Sequence, residues 1–142
     1  MITRSSKAFW EGTLAHGQGR LQTASGTFDH PYSFVSRFEQ GKGTNPEELI
    51  GAAHAGCFSM ALAHILTENG YPPGKIETEA DVSLDRDSQG FHITAIELNC
   101  QGTVENIDEP TFVKFAGEAK ANCPVSRALT GVDIQLKAML LT

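Results

Sequence analysis

The run from Leu49 to Leu66 constrains this chain more than any other feature: Leu-Ile-Gly-Ala-Ala-His-Ala-Gly-Cys-Phe-Ser-Met-Ala-Leu-Ala-His-Ile-Leu. Nothing in it carries a fixed charge, so water is a poor environment for it. At this length it stands at the lower limit for a bilayer-spanning helix. Its Ala and Gly content, with His54, Ser59 and His64, instead predicts a core helix packed closely on all sides by protein. The start is well marked. Asn45 is a good cap, Pro46 suits the first helical position, and Glu48 stands where a capping box would need it. That leaves Glu47 without a capping duty. The stop is equally clear, at Asn69-Gly70 with Pro72-Pro73 just beyond.

The rest of the chain must supply cover for this helix. Residues 6–23 and 27–38 read as strands, with turns at Gly17, Gly19 and Ser25-Gly26. In the second of these, Phe34, Ser36 and Phe38 alternate with Val35 and Arg37. Residues 75–86 alternate cleanly, Ile76, Thr78, Ala80, Val82 and Leu84 facing in and acidic or hydroxyl side chains facing out. Asp87-Ser-Gln-Gly90 is a turn, and residues 91–105 form the partner strand, with Ile96, Leu98, Cys100 and Val104 on one face. Asp108 is placed to cap a helix carrying Phe112, Phe115, Ala116 and Ala119 at helical spacing. Pro124 opens a short helix that ends near Thr130-Gly131, and residues 132–140 alternate as a last strand. Strands, long helix, strands, helices, strand is an α+β order rather than a βαβ repeat. The chain of 142 residues is expected to form a single domain, residues 1–142.

Charge narrows the function classes. The net charge is −6 with a pI near 5.3, and lysine and arginine form no cluster. Neither nucleic acid nor an anionic membrane surface is an expected partner. Met1-Ile-Thr-Arg-Ser-Ser leads directly into a polar strand without an export signal, so a cytoplasmic protein is expected. In a reducing compartment the three cysteines would form transient rather than lasting disulfides.

Cys57 lies in the middle of the apolar helix. A free thiol titrates near 8.5, and burial raises that value. The helix start is about three turns away, too far for its dipole to help. Cys57 is therefore either a packed core residue or a nucleophile to which a cation is brought. Arg37 is the candidate cation, because an arginine keeps its charge in any surroundings. Glu47 is the candidate carboxylate to orient it; otherwise the two are an exposed arginine and a first-turn glutamate. Cys123 precedes Pro124, which places its sulfur at a helix N-terminus, where thiolate is favoured. Cys100 lies on the apolar face of a central-looking strand and is read as packing. His54 and Cys57 share a helix face, but no Cys-x-x-Cys or His-x-x-x-His accompanies them, so no metal is expected. His54 and His64 are read as polar groups satisfied in a core or an interface.

Three segments carry a family resemblance: the run from Arg37 to Leu62, the strand Asp81-Val-Ser-Leu-Asp85, and Ala119-Lys-Ala-Asn-Cys-Pro-Val-Ser126. Together they resemble the OsmC branch of the OsmC/Ohr peroxidases. The resemblance implies an intertwined α+β homodimer, with a long buried central helix packed between β-sheets and two sites at the subunit interface. It implies an enzyme, a cysteine-based peroxidase that reduces organic hydroperoxides in preference to H₂O₂, without metal or other cofactor. By position, Cys57 matches the peroxidatic cysteine, Cys123 the resolving cysteine, Arg37 the arginine that holds the thiolate, and Glu47 its partner. The Ohr branch takes its arginine from an earlier segment, which makes Arg20 the weaker candidate. Cys100 matches no functional residue.

The mechanism implied is attack of Cys57 on the peroxide, a sulfenic acid, and an intramolecular Cys57–Cys123 disulfide. An external dithiol, of lipoyl type, or a small thiol then reduces the disulfide. The alternative is a dimeric OsmC-like protein that binds an apolar small molecule at its interface and does not turn over peroxide.

Overall fold

The computed structural model describes residues 1–141. They form six strands and four helices, and the chain divides into two compact units, Met1–Leu49 and Ile50–Thr142.

The first unit is a three-stranded antiparallel meander of β1 (Ser6–Glu11), β2 (Gln18–Thr23) and β3 (Asp29–Tyr32). Gly19 is not at a turn, as its sequence context suggests, but inside β2, paired with Trp10 on one side and Tyr32 on the other. The two rings meet across it with centroids 5.3 Å apart. A Cβ at Gly19 would lie 2.5 Å from the Tyr32 ring and 2.7 Å from that of Trp10, so no larger residue fits without moving them.

The strand expected over residues 27–38 ends at Tyr32. A short helix follows, α1 (Phe34–Phe38), with Ser33 as its cap. The Ser36 N–H donates to Ser33 Oγ at 3.2 Å, and the Ser33 N–H donates to Ser36 Oγ at 2.8 Å. This is a capping box built from two serines. Phe34 and Phe38, which suggested alternation, are four apart and stack on one helix face, their centroids 5.0 Å apart. Arg37 therefore sits in the last turn of a helix, not near the end of a strand.

Two hydrogen bonds tie α1 to the start of the long helix α2 (Pro46–Glu68). Ser36 Oγ donates to the Thr44 carbonyl at 2.7 Å, and Asn45 Nδ2 donates to the Ser36 carbonyl at 3.0 Å. Asn45 caps α2 as expected, accepting from the Glu48 N–H at 2.8 Å. The Glu48 carboxylate accepts instead from the Thr44 hydroxyl at 2.7 Å, which departs from the expected reciprocal box. The helix ends where Gly70 turns left-handed, at φ 87°, and the Tyr71 N–H bonds back to the Leu66 carbonyl at 2.8 Å.

The second unit is built on a three-stranded sheet of β4 (Lys75–Asp87), β5 (Gly90–Thr103) and β6 (Asp133–Leu141). β4 and β5 form an antiparallel hairpin, and β6 runs parallel to β5. That parallel pairing requires a crossover, supplied by α3 (Glu109–Asn122) and α4 (Pro124–Ala128). Asp108 caps α3 through the Thr111 N–H at 2.8 Å.

The buried apolar residues all come from this unit: Phe58, Leu62 and Leu66 of α2, Ile96, Leu98 and Cys100 of β5, Val104, the four expected residues of α3, and Cys123. Each large side chain so buried is worth about 1.5–3 kcal/mol. The central helix is not packed on all sides within this chain. His54, Phe58, Leu62 and Leu66 are buried at helical spacing, while Ala52, Ala53, Gly56, Met60 and His64 are exposed. Only 28% of its apolar 18-residue window is buried.

Candidate thiol active site

Cys57 is half-buried near the middle of α2. Cys123 stands at the joint between α3 and α4. Its own N–H closes α3 by bonding to the Ala119 carbonyl at 2.9 Å, and its sulfur caps α4 by accepting from the Ser126 N–H at 3.4 Å. Pro124 dictates this arrangement. A residue before proline avoids helical backbone, and Cys123 accordingly adopts φ −63°, ψ 141°. The break turns its side chain inward, where it is 1% exposed.

The fold brings these two distant cysteines together. Both are free thiols, and Cys123 is near enough to Cys57 to be among the groups that shift its thiol. Burial pushes the Cys57 thiol above its ordinary value; a hydrogen bond from the Val125 backbone acts the other way, and Cys123 adds to the rise. No cation is among the groups that shift it.

Arg37 and Glu47 form the expected pair in the first unit. Arg37 Nε donates to Glu47 Oε1 at 2.9 Å and Nη2 to Oε2 at 3.2 Å. This fork-to-fork geometry fixes the guanidinium plane. The Glu47 side chain is 10% exposed and that of Arg37 36%, so the carboxylate is the buried anchor and the guanidinium presents an open edge. Arg37, with Trp10, Leu14, Tyr32, Phe34 and Phe38, lines a hollow of about 360 Å³. The other arginine considered, Arg20, is paired with Asp29 at 2.5 Å and holds that carboxyl below its ordinary value.

Cys100 is buried in β5 opposite Thr78 of β4. Burial raises its pKa, and a hydrogen bond with the Thr78 side chain opposes the rise. A larger hollow in the second unit, about 800 Å³, is lined by residues around Cys100, including Ser59, Thr78 and Asn99, and does not include Cys57 or Cys123.

His54 is fully buried, but only one of its ring nitrogens is satisfied. Nε2 lies 2.7 Å from Ser126 Oγ, while Nδ1 has no partner. Ser126 Oγ is also 3.0 Å from Cys123 Sγ. Ser126 carried no signal in the sequence, beyond following Cys-Pro at the spacing of a helix cap. His64 is exposed. Among the described residues no group of three or more His, Cys, Asp or Glu side chains is disposed to hold a metal ion.

Comparisons with known proteins agree with the resemblance. Residues 39–137 match the family model described as OsmC-like protein. The chain is 50% identical over 141 residues to Peroxiredoxin OsmC of Escherichia coli (strain K12), covering 96% of this chain and 99% of that one. It is 28% identical over 123 residues to the organic hydroperoxide resistance protein OhrB of Bacillus subtilis, covering 84% of this chain and 88% of that one. The crystal structure of OhrB superposes with a TM-score of 0.76, 94% of this chain and 97% of that chain being covered at 29% identity. A Legionella pneumophila organic hydroperoxide resistance protein OsmC shares the fold at a TM-score of 0.75 and 23% identity, covering 99% of this chain and 98% of that one. The match of the family model and the half-identical relative show that the chain belongs to the OsmC-like protein family.

Proposed function

We propose that this protein is a cysteine peroxidase that reduces organic hydroperoxides to alcohols. The observation that carries the reading is the pair of neighbouring free thiols, Cys57 and Cys123. The peroxiredoxin name of the half-identical relative supports it.

The Cys57 thiolate attacks the distal peroxide oxygen, an alcohol leaves, and Cys57 becomes a sulfenic acid. Cys123 then displaces hydroxide to form the Cys57–Cys123 disulfide. Arg37 is the cation that stabilises the thiolate and the charge developing on the peroxide, and Glu47 orients it. In support, the cysteine pair's own surroundings raise Cys57 rather than lower it, and the bidentate Glu47 contact leaves one guanidinium edge open. The aromatic and aliphatic wall beside Arg37 favours an alkyl or aryl hydroperoxide over H₂O₂, since apolar contacts reward only the larger substrate. The reaction takes no metal or cofactor. An external dithiol, of lipoyl type, or a small thiol regenerates the enzyme by exchange. The setting is a reducing cytoplasm.

The active species is a homodimer. One feature supports this: the exposed apolar face of α2 around Gly56 and Met60.

Titration of the reduced protein with cumene hydroperoxide tests the activity. One equivalent should remove two thiols per chain, as the pairing of Cys57 with Cys123 requires. Unchanged thiols would contradict the peroxidase and favour a protein that only binds its ligand.

A further inference from the structure

We propose that Ser126 and His54 form the proton relay of the resolving step, an inference that rests on the peroxidase reading above. Cys123 enters that step as a thiol buried at 1% exposure, away from bulk water. It must lose its proton as it attacks. Ser126 Oγ, 3.0 Å from Cys123 Sγ, takes that proton while its own passes to His54 Nε2, 2.7 Å away. The S–S bond forms as the S–OH bond of Cys57 breaks. Cys123 is oxidised and the sulfenic sulfur is reduced. The departing hydroxide and the proton released from the imidazolium together make one water.

Packing alone is a poor account of His54. A fully buried imidazole with one nitrogen unpartnered costs stability that an apolar side chain of similar size would not. The unpartnered Nδ1 leaves the tautomer unfixed by a second bond, so Nε2 is available as an acceptor and, once protonated, as a donor. Burial holds the His54 pKa below its ordinary value, with no charged neighbour among the causes. The ring is therefore neutral at pH 7 and returns a proton readily after taking one. The titratable groups facing the relay are the two thiols: Cys57, one helical turn along α2, and Cys123, reached through Ser126. No other buried histidine or carboxylate in the second unit reaches either sulfur among the described residues.

The test separates the two chemical steps in full-length reduced protein mixed with one equivalent of cumene hydroperoxide. Peroxide loss follows the first step. Dimedone trapping and intact mass on a quench-flow time course follow the second. His54→Gln keeps a hydrogen-bond partner for Ser126 but cannot take a proton, and Ser126→Ala breaks the chain. In both, peroxide consumption should stay within about twofold of wild type. Disulfide formation at pH 7 should slow by about tenfold or more, with the sulfenic acid accumulating as its dimedone adduct. Raising the pH should restore the His54→Gln rate by roughly tenfold per unit, as hydroxide takes the proton that His54 otherwise accepts. A merely structural role would not give that profile. Wild-type rates of disulfide formation in both variants overturn the relay, as does slowing of both steps to the same degree. Should His54→Gln fail to fold by circular dichroism, Ser126→Ala decides on the same criteria. A wild-type protein that consumes no peroxide overturns the peroxidase reading and the relay with it, whereas normal wild-type turnover with unaffected variants overturns only the relay.

Discussion

Burial raises the Cys57 thiol above its ordinary value, and under the proposed mechanism charge and nucleophile come from separate residues. Cys57→Ser should leave the fold and assembly intact and lower peroxidase activity below about a tenth of wild type, since a hydroxyl is no comparable nucleophile at neutral pH. Higher residual turnover would assign the chemistry to another thiol. Arg37→Lys should be nearly as damaging as Arg37→Ala, because an ammonium cannot bind Glu47 through two nitrogens and still present an edge. Slower alkylation of Cys57 below pH 7 would be the signature; a lysine variant that alkylates at wild-type speed would show that a bare charge suffices. His54 adds a stability prediction. Its pKa falls on folding from an ordinary value of 6.5, so in acid the unfolded chain takes up a proton that the native chain refuses. The stability involved is fully present above pH 6.5 and is lost as the pH falls below it. Urea midpoints measured from pH 7 to pH 5 should fall less steeply in His54→Gln. Much at this scale was legible in the sequence. Cys123 was, because a Cys-Pro step has few backbone options, and Glu47 was, because Asn45 already served as the cap. Ser126 was not, since a serine shows its role only once its two buried partners are known.

Among the elements, α1 is the one whose sequence misleads. Phe34, Ser36 and Phe38 satisfy strand alternation, yet the outer two also satisfy the four-residue spacing of a helix, and the serine pair decides between them by capping the first turn. Two serines three apart form a weaker signal than the serine–glutamate box that usually marks a helix start, so a purely local reading selects the strand. The consequence bears on the proposed mechanism, because this helix carries Arg37 and is tied to the cap of α2 through Ser36. Ser36→Ala should cost about 1–2 kcal/mol, through loss of a cap partner and of a buried hydrogen bond. It should also lower turnover without changing the reactivity of Cys123. Urea unfolding and thiol-specific alkylation measure the two effects, and a variant that is destabilised but fully active would detach α1 from the placement of Arg37. The remaining elements were legible because their signals agree across levels. In β4 the alternation matches the pleat, in α3 the cap and the apolar spacing coincide, and in α2 the Asn-Pro start and glycine stop bracket one apolar run.

For the molecule as a whole, the α+β order followed from the succession of patterns. The sequence suggests a central helix enclosed on every side, and the single chain encloses one stripe of it. Covering the remaining apolar face is the work proposed for a second subunit. Unfolding should therefore shift to higher denaturant as protein concentration rises; sedimentation of an active monomer at micromolar concentration would reject the dimer. The central claim is that Cys57 and Cys123 are the two halves of one redox pair, and mass spectrometry after one equivalent of organic hydroperoxide tests it most directly. Wild type should lose two hydrogens, located by peptide mapping to a Cys57–Cys123 disulfide, and Cys123→Ser should gain one oxygen on Cys57, the sulfenic acid having no internal partner. A disulfide joining Cys57 to Cys100, or an unmodified protein, would contradict the account.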